Sequence, residues 1–117
     1  MLLIYDNEDT RAHFSGPDGE PLMDEMRTLL RELRESGEFI STDGLADPSQ
    51  TKVVRIQDGV PAITDGPLAE AKEHFGGYLI VDCETPERAT EIAARFPSTR
   101  FTPLEVRPIM DTSGADM

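Results

Sequence analysis

The chain has 117 residues, of which 38% are hydrophobic and 29% charged, as expected of one globular domain. Its 23 acidic and 11 basic residues give a net charge of −12, which opposes close approach to phosphate backbones. We therefore expect no direct binding of nucleic acid. No apolar run approaches the roughly 20 residues of a membrane-spanning helix, so we expect no membrane association.

The first part of the chain predicts a strand, a loop, a helix and a second strand. Residues 2–5 are apolar and suit a strand, whereas Asn7 to Glu20 shows no period and is predicted to be a loop. From Pro21 onward, leucines recur at spacings of three and four, which predicts an amphipathic helix ending at Ser36-Gly37. The segment "EFIST" that follows is predicted to be a short strand.

The second part predicts a hairpin, a central strand, a helix and a last strand. "KVVRIQDGVPAIT" reads as two strands joined at Asp58-Gly59, and "GYLIVDC" is apolar enough to be covered on both faces. Thr85-Pro86 begins a helix that ends before Pro97, and "LEVRPIM" is the last strand. The acidic tail, residues 111–117, is expected to be disordered.

The order of elements predicts an α+β fold. Apart from the inserted β-hairpin, the order is βαββαβ, the split βαβ arrangement of a ferredoxin-like sheet with both helices on one face. Residues 1–110 would form a single domain. The strands present apolar groups to both sides, so we expect a second copy to cover the other face in a homodimer packed sheet to sheet.

The segment "TDGPLAEAKEHFGGYLIVD" holds the main candidate site residues. Asp65 suits the cap of a helix that begins near Gly66, or it is a general acid or base in a pocket. Glu70 and His74 would share a helix face, either as a surface pair or as a carboxylate that orients an imidazole. Lys72 is either part of a solvated helix face or an anchor for an anion.

Further candidates lie in the predicted strands. Arg55 and Arg107 are either outward-facing edge residues or groups that hold a carboxylate by two hydrogen bonds. Tyr78 is assigned to the core with a ligand-binding role as the alternative, and Cys83 is structural. The sequence has no metal-ligand spacing, no phosphate-binding glycine loop and no nucleophile elbow, so we expect no metal and no cofactor.

The run from Thr64 to Glu73, followed by Gly76-Gly77-Tyr78, resembles the DGPF branch of the YCII-related proteins. "MLLIY", "RELRESGEFISTDGL", "VVRIQDG" and "EVRPIM" also resemble that branch, so the likeness covers nearly the whole chain. Leu68 stands where the branch usually has phenylalanine. The resemblance implies a ferredoxin-like domain that pairs into a dimeric α-β barrel.

The resemblance also suggests two kinds of function. Many YCII-related proteins carry a histidine near the start of the first helix and an aspartate in a later loop, which has suggested enzymatic activity. In this sequence the predicted helix begins with Pro21 to Asp24, and His13 falls in the predicted loop before it. The DGPF branch also occurs fused to sigma-factor-like domains, which suggests a link to transcription initiation.

The sequence therefore gives one leading hypothesis and one alternative. In the first, a cytoplasmic homodimer binds a small anionic organic molecule and catalyses a proton transfer of the lyase or isomerase type. Asp65 would be the acid or base, Glu70 would orient His74, and Lys72 or Arg107 would hold the ligand. In the alternative, the protein is a non-catalytic interaction module that acts through a sigma-like factor.

Overall fold

The computed structural model describes residues 1–68 and 71–110, which fold into six strands and three longer helices. The predicted tail, residues 111–117, lies outside the described residues. In chain order the elements are β1 (Leu2–Asp6), α1 (Glu8–Ser15), α2 (Gly19–Ser36), β2 (Phe39–Gly44), β3 (Lys52–Gln57), β4 (Val60–Asp65), β5 (His74–Val81), α3 (Pro86–Arg95) and β6 (Leu104–Val106).

The strands form two antiparallel sheets. The larger sheet has the order β2-β5-β1-β6, and β3 pairs only with β4 in a second, two-stranded sheet. The α+β class is therefore confirmed, and this order is compatible with the predicted ferredoxin-like arrangement. Within residues 1–68 and 71–110 the larger sheet is open, so the dimeric α-β barrel stays a prediction.

The hydrophobic core lies between one face of the larger sheet and the helices α2 and α3. Its buried members are Leu2, Leu29, Leu33, Leu79, Ile92, Ala93 and Phe96. The predicted end of α2 and the predicted start of α3 are confirmed. Gly37, with φ 81°, closes α2, and the Thr85 side chain accepts the backbone N–H of Arg88 at the start of α3. None of the described helices is long and apolar enough to cross a bilayer.

The prediction of a loop from Asn7 to Glu20 is wrong, because this segment contains α1 and the first two residues of α2. The Asn7 side chain caps α1 by accepting the backbone N–H of Thr10 at 2.8 Å. The short helix has few apolar residues, so it shows no stripe in the sequence. His13 consequently lies in a helix rather than a loop, and its ring stacks on Phe101 with centroids 4.0 Å apart.

The predicted hairpin is confirmed, with Asp58 at φ 51° and Gly59 at φ 79° in its turn. Its ladder extends further than expected: Asp65 lies opposite Lys52, and the Gly66 N–H donates to the Thr51 carbonyl at 2.9 Å. Asp65 therefore ends a strand, and a helix starting there is a wrong prediction for the described residues 66–68 and 71–73.

Candidate functional site

A cavity of about 460 Å³ lies between the larger sheet and the helices α1 and α2. We call it the central cavity. Its walls are largely apolar and include Phe14 of α1, Met26 and Leu30 of α2, Ile4 of β1, and Phe96 after α3. Pockets that bind small molecules have this size and this composition, with a few polar groups at fixed positions.

The lining of the central cavity includes an ion pair between β1 and α1. Arg11 donates from Nη1 to Oδ1 of Asp6 at 2.9 Å, and both side chains are about two-thirds buried or more. The pairing of β1 with β5 shifts after Ile4, so that Gly76 is the extra residue of a bulge. A Cβ at Gly76 would lie 2.8 Å from Oδ2 of Asp6, so the glycine leaves the space that this carboxylate occupies.

A smaller depression of about 390 Å³, the loop groove, adjoins the cavity wall near Gly76 and is lined in part by Leu45, Asp47 and His74. Leu45 donates its backbone N–H to the carbonyl of Gly76, which joins the groove to the cavity wall. The Cα of His74 is paired with that of Asp6, so the two side chains lie on the same face of the sheet.

Asp47 lies with His74 in the lining of the loop groove. Its pKa is lowered, chiefly by hydrogen bonding to Ser49, whose N–H lies 2.9 Å away, and further by the positive charges of Arg11 and His74. Asp6 and Arg11 line the central cavity, Asp47 and His74 line the adjoining groove, and Asp6 is paired with His74 across the sheet, so the four form one group of acidic and basic side chains. We call this group the polar cluster.

The lining of the central cavity also includes a buried serine. Ser98 is 5% exposed, and its Oγ has no hydrogen-bond partner within the described part of the chain. Thr10, also in the cavity wall, is satisfied: its hydroxyl contacts Asn7 and the hydroxyl of the buried Thr102. The Oγ atom has less than 1 Å² of accessible surface, so it is buried within the wall and does not face the open space of the cavity.

Most of the residues predicted from the segment 64–82 lie away from the central cavity. Asp65 has 84% of its side chain exposed and pairs with Lys52 on the hairpin. Lys72 is exposed, and Glu70 lies outside the described residues. His74 begins β5 rather than a helix, so the predicted helical Glu70–His74 face does not exist at His74, which nevertheless belongs to the polar cluster.

The remaining predicted residues are separate from one another. Arg55 is exposed on the hairpin, and Arg107 is exposed next to β6, where its backbone N–H donates to the Met1 carbonyl. Tyr78 is half-buried and donates its hydroxyl to Asp43 at 2.5 Å, a hydrogen bond that raises the pKa of the tyrosine. The structure does not bring these three residues together with His74.

Sequence reasoning missed Asp6, Arg11 and Asp47. A signal was present in "YDNEDTR", where an acid ends a strand, an asparagine follows as a helix cap, and an arginine lies within the next helical turns. Because the sequence predicts a loop there, the spacing of Asp6 and Arg11 did not indicate that the two side chains form an ion pair. Asp47 becomes significant only through the fold, which brings its loop beside β5.

Among the described residues no group of three or more His, Cys, Asp or Glu side chains is arranged to hold a metal ion. The pKa of Cys83 is raised, first by burial and then by the charge of Glu38, which disfavours the thiolate. This agrees with the structural role expected for Cys83.

Comparison with known proteins agrees with the resemblance seen in the sequence. Residues 1–113 match the YCII-related domain. The chain belongs to the YCII-related family. A relative, an uncharacterised protein of Rhizobium meliloti (strain 1021), is 28% identical over 112 residues, which cover 92% of this chain and 89% of the relative. This YCII-related chain and its relative therefore share a domain over almost their whole lengths, while the DGPF branch stays a prediction.

Proposed function

We propose that this YCII-related protein binds a small organic molecule in the central cavity and catalyses a proton transfer at the polar cluster. The observation that carries the proposal is the ion pair of Asp6 and Arg11 in the lining of a largely apolar cavity of about 460 Å³. An apolar cavity with a few convergent charged groups is the usual form of a small-molecule site.

Asp6 is the group best placed to exchange a proton with the bound molecule. Its Oδ1 accepts the hydrogen bond from Arg11, and no donor of the described residues bonds to Oδ2. Oδ2 therefore has lone pairs free to accept a proton from a ligand in the cavity. Arg11 is a positioning residue, since its bond fixes the orientation of the carboxylate.

His74 and Asp47 extend the cluster toward solvent. His74 lies beside Asp6 across the sheet and lines the loop groove together with Asp47. An imidazole next to the base gives a route by which the proton leaves or returns. An isomerisation follows if the proton taken by Asp6 returns to another atom of the same molecule, and an elimination follows if a leaving group departs instead.

The proposal is tested by hydrogen exchange at carbon, which needs no knowledge of the full reaction. Full-length protein is incubated in D₂O with a panel of ketones and hydroxy ketones, and loss of the C–H signal beside the carbonyl is followed by proton NMR. We expect protein-dependent exchange that Asp6→Asn abolishes and that the matched hairpin variant Asp65→Asn retains. Exchange no faster than in buffer for every compound, or equal in both variants, would contradict the proposal.

A homodimer is also part of the proposal, with the outer face of the larger sheet as its interface. Leu3, Tyr78 and Ile80 alternate along their strands with the core residues Leu2 and Leu79, so they point to the face opposite the core. All three are half-exposed. A second copy of the chain would bury them and produce the predicted dimeric α-β barrel.

The hairpin adds a second apolar surface for the same partner. Val54 lies opposite Ile63, so these two and Ile56 share one hairpin face, and they are 61%, 67% and 68% exposed. The hairpin strands pair only with each other. Because each copy has both surfaces, two copies in symmetric contact would cover both. Equilibrium sedimentation tests this, with twice the chain mass of 12.9 kDa as the expected result.

Three finer assignments complete the proposal. The motif from Asp65 to Glu73 supports placement in the DGPF branch. The second assignment is a cytoplasmic location, since the single cysteine, Cys83, agrees with a reducing compartment. The non-catalytic alternative, a module linked to transcription initiation, would require the apolar hairpin face to stay free for another protein after dimerisation.

A further inference from the structure

We propose that Arg11 is a second catalytic residue, which holds the carbonyl oxygen of the substrate and stabilises the negative charge that forms there when Asp6 removes a proton from the neighbouring carbon. The inference rests on the proposed function, since it assumes proton transfer to Asp6 in the central cavity. It specifies the substrate as an uncharged carbonyl compound that carries a hydrogen on the carbon next to the carbonyl group.

The guanidinium group of Arg11 has hydrogen-bonding capacity that the ion pair leaves unused. A guanidinium group carries several N–H donors in one plane. Arg11 uses Nη1 for its bond to Oδ1 of Asp6, and among the described residues no other acceptor bonds to this group. The Arg11 side chain lies in the lining of the central cavity and is 35% exposed. It can therefore donate to a ligand while it continues to hold Asp6.

The proposed proton transfer creates a charge that the site has to stabilise. When Oδ2 of Asp6 takes the proton, an O–H bond forms, the C–H bond breaks, and its electron pair moves to the carbonyl oxygen, which becomes an enolate. The cavity walls include Ile4, Phe14 and Leu30, and an anion in apolar surroundings needs a fixed cation or donor. Arg11 is the only basic side chain in the cavity lining, which consists wholly of described residues.

The charge balance of the cavity favours an uncharged substrate. Before the reaction, the Asp6 carboxylate and the Arg11 guanidinium compensate each other. After the transfer Asp6 is neutral and Arg11 lies beside the enolate, so the net charge is the same in both states. The Asp43 carboxylate does not enter this balance, because it accepts the Tyr78 hydroxyl on the outer face of the sheet. An anionic substrate, the class predicted from the sequence, would add an uncompensated charge.

The binding test uses two probes of nearly the same shape. Para-nitrophenolate, used at a slightly alkaline pH where it is ionised, resembles the enolate, and para-nitrotoluene is its uncharged counterpart. Asp6→Asn imitates the protonated base, because the amide keeps an oxygen that accepts from Arg11 and carries no charge. We expect this variant to bind para-nitrophenolate about tenfold more tightly than the original protein does, as a charge-assisted hydrogen bond would give. Affinities are measured from amide chemical shifts of cavity-lining residues in the full-length protein.

Arg11→Gln in the Asp6→Asn protein should remove this gain and keep the binding of para-nitrotoluene, which shows that the cavity is intact. Arg31→Gln, at an exposed arginine of α2, is the matched control and should keep the gain. The Nε–H resonance of Arg11 gives a second readout that needs no change at Arg11. In Asp6→Asn it should shift with para-nitrophenolate and not with para-nitrotoluene. An unshifted resonance, or equal affinities with and without Arg11, would overturn the contact between Arg11 and the anion.

Carbon exchange separates the catalytic role of Arg11 from a structural one. We expect Arg11→Gln to lower kcat by about a hundredfold and to change KM by less than about threefold, because the bond to the oxygen strengthens in the transition state. An unchanged kcat would refute the role of Arg11 and leave Asp6 as the base.

The remaining outcomes distinguish this inference from the proposed function. If the original protein binds para-nitrophenolate as tightly as Asp6→Asn does, the uncharged substrate class is wrong and the cavity remains a ligand site. If neither probe shifts an amide of the cavity lining, the inference is wrong. If no compound of the ketone panel shows protein-dependent exchange, both the inference and the proposed proton transfer are wrong.

Discussion

The carboxylate of Asp6 occupies the space that a side chain on Gly76 would fill: a Cβ at Gly76 would lie 2.8 Å from Oδ2 of Asp6. Gly76 is the extra residue where the pairing of β1 and β5 shifts, so the bulge and the lack of a side chain together leave room for the Asp6 carboxylate. Arg11 holds the other carboxylate oxygen from α1 at 2.9 Å. The position of the proposed base thus depends on one irregularity in the sheet.

Gly76→Ala should therefore impair the site more than the fold. The new methyl group would displace the end of a side chain rather than backbone, so we expect the melting temperature to fall by no more than a few degrees. The carbon-exchange rate should fall by about tenfold or more, because a misplacement of a catalytic group by about 1 Å can cost about a hundredfold in rate. An unchanged exchange rate would show that Asp6 does not act from its observed position.

Gly77→Ala and Gly44→Ala form a matched pair for stability. A Cβ at Gly77 would lie 2.8 Å from the backbone carbonyl of Asp43, which cannot move without breaking the β2–β5 pairing, so we expect a loss of about 1–3 kcal/mol in the free energy of unfolding. Gly44→Ala meets no atom and should change this free energy by less than about 1 kcal/mol. Urea unfolding of both variants checks the contrast, and equal losses would contradict it.

The ion pair between Glu38 and Arg88 should make stability depend on pH in acid. Arg88 binds both carboxylate oxygens, at 2.8 and 2.9 Å, and this hydrogen bonding lowers the pKa of Glu38 from 4.5 to about 2. The group binds its proton more readily when unfolded, so its contribution is complete above pH 4.5 and is lost as the pH falls toward 2. The melting temperature should therefore decline as the pH is lowered from 4.5 toward 2.

Glu38→Gln isolates that contribution, because the amide keeps the shape and cannot titrate. We expect the variant to melt a few degrees lower than the original protein at neutral pH and to show a smaller decline through the acid window. Glu91→Gln, which removes the more exposed carboxylate near Arg88, is the control and should keep the steep decline. Parallel curves for Glu38→Gln and the original protein would refute the assignment.

The proposed dimer predicts the effect of a charge on the outer sheet face. Ile80→Glu would place a carboxylate in the interface, where it has no partner, so the variant should sediment as a monomer. Arg31→Glu, on the exposed face of α2, also adds negative charge and should leave the dimer intact. If the original protein already sediments at 12.9 kDa, the outer face is not a dimer interface.

The elements with a strong period or a clear turn were predictable from the sequence. The leucines of α2 repeat on one face, and Asp58-Gly59 joins two β-rich runs, so local chemistry and the fold agree. The short α1 was not predictable in this way, because it has no apolar stripe and is held by the Asn7 cap and the buried Thr10. Its stability comes from contacts with distant parts of the chain.

The candidate site was much less predictable than the fold. Asp65 suits a helix cap, but the hairpin ladder continues through it to Lys52, a choice made by strand pairing and not by the local motif. Asp6 meets His74 only through the register of β1 and β5, which sequence patterns do not specify beyond the alternation of faces. His74 is a candidate in the sequence because of its helical spacing from Glu70, but in the structure it lies in strand β5.

The most direct measurement is amide chemical-shift mapping with compounds that raise the melting temperature of the full-length protein in a metabolite screen. We expect the largest shifts at Asp6, Arg11, Gly44 and Gly77, which line the cavity. The variant Gly44→Leu should show no such shifts, because the new side chain would fill the empty space beside Gly44. Shifts confined to the hairpin around Asp65 and Arg55 would contradict binding in the central cavity and would favour the site first predicted from the sequence.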